Sequence, residues 1–159
     1  MFKRHKSSAP SKDLLKSGLF DEQLFYKTFI KDIKHAKSSI LIESPFMTER
    51  KALQFARLFK SMSRRGVVIR VNTRNPRHHD RFLEVQAWKA LYILRDCGVK
   101  VRTYNDLRHR KLSIIDDEVL WEGSLNILSQ NNSKEIMRRS ESGTLCKQML
   151  KFTKANNWF

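Results

Sequence analysis

Apolar residues recur at helical spacing in three stretches of this chain, with short β-branched runs between them. Leu24, Phe25, Phe29, Ile30 and Ile33 fall on one helical face, which predicts an amphipathic helix over 21–37. Ser38 and Ser39 interrupt it, and Ile40-Leu41-Ile42 reads as a short buried strand running into Glu43-Ser44-Pro45-Phe46, where Pro45 stops regular pairing. Thr48 is a plausible N-cap for a second helix carrying Ala52, Leu53, Phe55, Ala56, Leu58 and Phe59. Beyond Gly66, the residues 67–71 form a β-branched strand, and 72–80 read as a loop. A third helix is predicted over 81–96, with Gly98 placed as its C-terminal glycine. The alternation at 99–104 predicts another strand. Two more follow at 111–115 and 119–121, joined by the acidic turn Asp116-Asp117-Glu118. A last strand near 135–139 and a helix from about Thr144 complete the chain.

Strands alternating with helices predict a single α/β domain, a mixed β-sheet with helices on both faces. Residues 1–20 are basic and contain Ser and Pro, so they are expected to form a flexible arm ahead of a domain at 21–159. Trp88, Trp121 and Trp158 are read as core or interface residues. No internal repeat is evident.

Charge narrows the function more than composition does. Lys and Arg total 32 against 16 Asp and Glu, a net charge of +16, so polyanions are attracted and nucleic acid is the expected partner. Cys97 and Cys146 share no CxxC spacing, which argues against a metal site or disulfide framework and for reduced thiols. No signal-type run and no stretch near ~18 apolar residues is present, so a cytoplasmic protein without a membrane span is expected.

The chemistry concentrates between His109 and Asn126. His109 and Lys111 are two apart, so on a strand they project from one face, with Arg110 on the other. A neutral imidazole is a good nucleophile near pH 7, and an adjacent ammonium can hold a phosphoryl oxygen as charge builds. Gly123 permits close backbone approach, while Ser124 and Asn126 offer neutral donors to phosphate oxygens. A carboxylate cluster for two metals is lacking, so the set suits attack on phosphorus through a phosphohistidine, with no metal and no cofactor. His78-His79-Asp80, flanked by Arg74, Arg77 and Arg81, reads as a basic loop near phosphates rather than a metal site. Glu43 ends a strand, where it either lines the site or is a satisfied structural carboxylate.

The pattern HxK(x)4D(x)6GSxN resembles the signature of the phospholipase D superfamily, above all its small bacterial endonucleases with one motif per chain. Glu43-Ser44-Pro45-Phe46, and Asn126 followed by Glu135-Ile136-Met137, resemble phospholipase D-like domains appended to helicase-type ATPases; a Walker-type loop is missing here. The resemblance implies that His109 is the nucleophile, that Lys111, Ser124 and Asn126 bind phosphate, and that Asp116 shapes the turn. It also implies a glutamate that fixes the histidine tautomer, with Glu135 the candidate and Glu141 the alternative.

Attack by one histidine leaves an alkoxide that needs a proton from a second group. Double-motif relatives supply a second histidine; a chain with one motif copy can obtain it by two-fold pairing, so an active site shared across a homodimer is expected. The function expected is a metal-independent phosphodiesterase that cleaves DNA, and RNA as an option, with little sequence preference. The rivals are a non-cleaving nucleic-acid-binding accessory protein of a helicase or defence system, and a phospholipid phosphodiesterase. An interfacial amphipathic helix is lacking, which disfavours the lipid.

Overall fold

A computed structural model describes residues 16–129 and 131–155. Seven strands form one sheet in the order β1-β7-β6-β5-β2-β3-β4. They are β1 (Ser17–Asp21), β2 (Ser39–Glu43), β3 (Val68–Arg74), β4 (Lys100–Tyr104), β5 (Leu112–Ile115), β6 (Val119–Gly123) and β7 (Ile136–Glu141). Strands β2, β3 and β4 are parallel, and the remaining neighbours pair antiparallel. The helices are α1 (Glu22–His35), α2 (Glu49–Arg64), α3 (Arg81–Asp96) and α4 (Gly143–Thr153).

Alternation along the strands divides the core in two. Ile40, Ile42, Ile69, Val71, Val101 and Trp121 face one side and pack under α1, α2 and α3. Leu41, Leu112, Ile114 and Leu120 face the other and meet Cys146 and Leu150 of α4. The mixed sheet with helices on both faces is therefore present, three on one side and one on the other. Trp121 is the pivot of the larger layer. It is fully buried, 5.0 Å edge-on to Phe25, and its indole N–H donates to Asp32 at 2.7 Å. Arg139 of β7 grips the same carboxylate with two N–H groups, at 2.8 and 2.9 Å, so the buried polar atom of the tryptophan is satisfied rather than orphaned. Trp88 is half-buried, and Trp158 lies outside the described residues. Both cysteines are buried free thiols, with burial as the main cause raising each pKa.

Each helix opens on a side-chain cap. Asp21, Thr48, Asp80 and Ser142 accept backbone N–H groups of the first turns of α1, α2, α3 and α4. The connectivity brings the N-termini of α1, α2 and α3 to the end of the sheet where β2, β3 and β4 finish. That end carries partial positive charge and is the usual ligand side of an open α/β sheet.

Two boundaries differ most from the sequence expectation. Residues 17–20, placed in the arm, belong to β1, which zips onto β7 from Ser17↔Ser140 to Asp21↔Ile136; residues 1–15 lie outside the described residues. β3 continues through Asn72, Thr73 and Arg74, because Asn72 pairs with both β2 and β4 and Thr73 and Arg74 stay paired with β4. The rest of that loop contains a single 3-10 turn, Pro76–His78.

Candidate active site

Strands β5 and β6 form a hairpin, and the motif occupies its two ends. At the closed end, the turn between them puts Asp116 and Asp117 at φ 54° and 55°, a left-handed conformation that Asp tolerates better than most residues. The Asp116 carboxylate then accepts the backbone N–H groups of Lys37, Ser38 and Ser39 and the Ser38 hydroxyl, all at 2.8–2.9 Å. It ties the hairpin to the loop between α1 and β2, at the end of the hairpin opposite Lys111 and Gly123.

At the open end, Gly123 N–H donates to Lys111 O at 3.3 Å, so the two halves of the motif are adjacent across the hairpin. His109 and Lys111 precede β5 rather than lying on it, which corrects their expected placement on a strand. They nonetheless project together: Lys111 Nζ lies 2.7 Å from His109 Nδ1 and donates to His109 O at 2.7 Å. Gly123 is required by the neighbouring strand. A Cβ there would collide with Ile136 O and meet Met137 Cα at 2.9 Å, so the close backbone approach that this glycine permits is to β7.

That approach brings β7 against the Gly-Ser turn. Ser124 N–H donates to Ile136 O, Ile136 N–H donates to Ser124 Oγ, and the Ser124 hydroxyl donates to the Glu135 carboxylate. Ser133 donates to the other oxygen of Glu135 at 2.7 Å. The Glu135 carboxylate thus sits in the site but bonds to Ser124 and Ser133 rather than to His109. Its charge raises the Lys111 pKa, against burial and Arg74, which lower it to a net depression. Glu141, the alternative, pairs with Arg139 at the other end of the hairpin, opposite Val119, and is removed from the site. Asn126 is half-buried just beyond the turn, and its Oδ1 is buried without a hydrogen-bond partner among the described residues.

The histidine is solvent-exposed and stands among cations. Burial, then Lys111, then Arg74 hold its pKa below the usual histidine value, so the neutral, nucleophilic form dominates at pH 7. Arg74 also donates to Arg108 O at 2.9 Å, bracing the segment before His109. Phe46 was not singled out from sequence. Its ring stands edge-on to His109 at 5.9 Å, lies 5.0 Å from His79, and has the Arg74 guanidinium 5.2 Å from its centroid. Arg77 and His78 are exposed on the 3-10 turn and make no contact with the histidine; His79 faces inward instead.

Glu43 is fully buried at the end of β2. It accepts from Arg110 Nε at 2.8 Å and lies 3.7 Å from Arg108, the two residues that bracket His109. Glu43 is shielded from solvent and braces the arginines on either side of His109, while its second oxygen, Oε2, is buried without a hydrogen-bond partner among the described residues.

Another His-x-Lys triplet, His35-Ala36-Lys37, repeats the first spacing of the motif. His35 caps the end of α1, with Nδ1 2.7 Å from Lys31 O, and neither a downstream aspartate nor a Gly-Ser turn accompanies it. Among the described residues, no group of three His, Cys, Asp or Glu side chains could hold a metal ion.

The family model for the phospholipase D-like domain of cardiolipin synthase matches residues 29–157, most of the chain. The chain belongs to the phospholipase D-like family. Solved structures agree on the fold. Nuc of Salmonella typhimurium, a phospholipase D family member, superimposes with a TM-score of 0.70 at 18% identity, covering 87% of this chain and 91% of that one. NucT from Helicobacter pylori gives 0.68 at 21% identity, covering 88% and 94%. TrmBL2, an archaeal chromatin protein whose structure shows a novel mode of DNA binding, gives 0.59 at 11% identity, covering 92% of this chain and 54% of that one. No curated protein matches the sequence. In this phospholipase D-like chain, every motif residue except Asp116 lies at one end of the sheet.

Proposed function

We propose that this phospholipase D-like protein is a phosphodiesterase that cleaves nucleic-acid backbones without a metal ion, through a phosphohistidine. The observation that carries this reading is the His109–Lys111 pair, held against the Ser124–Glu135 turn at the helix-N-terminal end of the sheet. The net charge of +16 favours a polyanionic substrate bound through its phosphates, with little base reading.

Neutral His109 attacks phosphorus through a ring nitrogen. An N–P bond forms as the bond from phosphorus to the leaving oxygen breaks. Lys111, Ser124 and Asn126 hold the non-bridging oxygens as negative charge grows on them. The leaving oxygen takes a proton from the imidazolium of His109 in a second copy of the chain. Water then attacks the phosphohistidine, gives its proton back to that second imidazole, and releases the phosphomonoester. Glu135 helps to orient Ser124 and to keep Lys111 charged.

Incubating plasmid and single-stranded DNA with the protein in EDTA, beside His109→Ala, tests this directly. Cleavage by wild type alone supports the reading. Tight, salt-sensitive binding without cleavage by either protein would move the function to a nucleic-acid-binding module. A phospholipid is the second substrate reading. It is favoured by an apolar groove of about 580 Å³ beside Lys111 and Gly123, lined by Leu19, Leu112, Ile136, Met149 and Phe152. Release of a headgroup from vesicles, with DNA left intact, would establish it.

A further inference from the structure

Behind the segment that joins Asn126 to Glu135 lies a second basic cavity, of about 350 Å³, lined by Glu22, Tyr26, Arg50, Lys51, Asn131 and Lys134 among others. Lys51, in the first turn of α2, is only 6% exposed, yet no hydrogen bond or ion pair reaches its ammonium among the described residues. The ammonium lies 3.9 Å from the centroid of the Tyr26 ring. Burial and the neighbouring Arg50 lower its pKa to about 8. A buried cation without a counter-charge is costly, and an anion in the cavity would remove that cost.

The one carboxylate in the cavity is already committed. Glu22 accepts from Lys134 Nζ at 2.9 Å and from Glu135 N–H at 3.1 Å. Arg50 reaches Asn131 Oδ1 at 3.4 Å. Three cations therefore face one engaged acid, beside the N-termini of α1 and α2. The cavity is also wired to the candidate active site. Tyr26 OH donates to Ile127 O at 2.8 Å, next to Asn126, and the Glu22-bound residue Glu135 carries the carboxylate that receives the Ser124 hydroxyl.

We propose that this cavity is a second phosphate subsite, taking a backbone phosphate of the bound strand that flanks the one at His109, with Lys51 as its principal ligand. The identity of the strand rests on the nuclease reading; the phosphate chemistry does not. A strand gripped on both sides of the 124–135 segment would be held in register over the histidine.

Lys51→Met keeps the stem and removes the charge, and Lys51→Arg keeps a cation. Arg50→Gln, at an exposed position, serves if the methionine variant fails to fold, which thermal unfolding reports. Affinity for a labelled single strand of about a dozen nucleotides is measured against salt, together with turnover of that strand and of bis(p-nitrophenyl) phosphate, which has one phosphorus atom. The subsite predicts strand affinity about tenfold weaker in Lys51→Met, and a slope of log affinity against log salt reduced by about 0.7. It also predicts a KM rise at least several-fold larger for the strand than for the small diester, with recovery in Lys51→Arg. Unchanged strand affinity, or equal losses on both substrates, overturns the proposal. If wild type cleaves neither substrate, the nuclease reading fails and the affinity measurements alone decide the subsite. If inorganic phosphate competes at Lys51 while strand affinity ignores the substitution, the cavity takes free phosphate and the strand assignment falls.

Discussion

Replacing Asp116 removes the clamp at the closed end of the hairpin, and its cost can be worked from the contacts. The carboxylate accepts four hydrogen bonds, from Lys37 N–H, Ser38 N–H, Ser38 Oγ–H and Ser39 N–H. Most of those donors reach solvent, so water replaces part of the loss and each bond is worth about 0.5–1 kcal/mol net. Alanine at φ 54° adds about 1 kcal/mol of left-handed strain that aspartate largely avoids. Asp116→Ala should therefore lose about 3–5 kcal/mol and lower the Tm by about 10–15 °C. Asp116→Asn, which keeps an acceptor and tolerates the turn, should lose about half as much. Urea unfolding followed by tryptophan fluorescence measures both, since Trp121 is fully buried. Acid adds an independent check. Burial raises the Asp116 pKa, but hydrogen bonds from Ser39, Lys37 and Ser38 outweigh it, so the folded value lies below the ordinary one. Its contribution is thus complete above the unfolded pKa of about 3.9 and disappears as pH falls through the folded value. The alanine variant should lack that portion of the acid loss. A loss below about 1 kcal/mol, or equal losses in the two variants, would refute the clamp.

His109→Ala should abolish cleavage while leaving the affinity for DNA within about twofold, as read by fluorescence anisotropy, because phosphate contacts carry the binding. In Lys111→Met the imidazole loses a neighbouring cation that disfavours its protonated form. The His109 pKa should then rise, and an NMR titration should show its transition moving to higher pH. Gly123→Ala forces a methyl group against Ile136 O and should cost about 1–3 kcal/mol while displacing Glu135 from Ser124; wild-type stability with full activity would contradict the required approach of β7. Mixing His109→Ala with a Lys111→Met variant should restore no more than a small fraction of activity if each shared site needs both histidines.

The helices were legible because their apolar faces and caps are both local: Thr48 caps α2, and Gly98 follows α3 at φ 84°. β1 escaped because Ser17-Gly18-Leu19 has no alternation of its own and becomes a strand only by pairing with β7. Asn72, Thr73 and Arg74 looked like loop because a central strand's polar residues take their pairing from neighbours, which no local pattern records. In the site, the nearness of His109 Nδ1 and Lys111 Nζ, 2.7 Å apart, was readable from spacing. The meeting of Glu43 with Arg108 and Arg110, across more than 60 residues, was not. Nor was the cationic cavity at Lys51, which joins residues from three separate stretches of the chain.

The hairpin also acts as a ruler. Lys111 and Gly123 face each other only because the chain runs down β5, turns once at a clamped point, and returns along β6 in register. An inserted residue on either arm would reverse the sides of everything beyond it, carrying Ser124 away from the histidine. The described residues 127–129 and 131–135 lie on neither strand nor helix, so no ladder fixes their number. Length changes in relatives of this protein should therefore collect after the asparagine and be nearly missing between the lysine and the glycine.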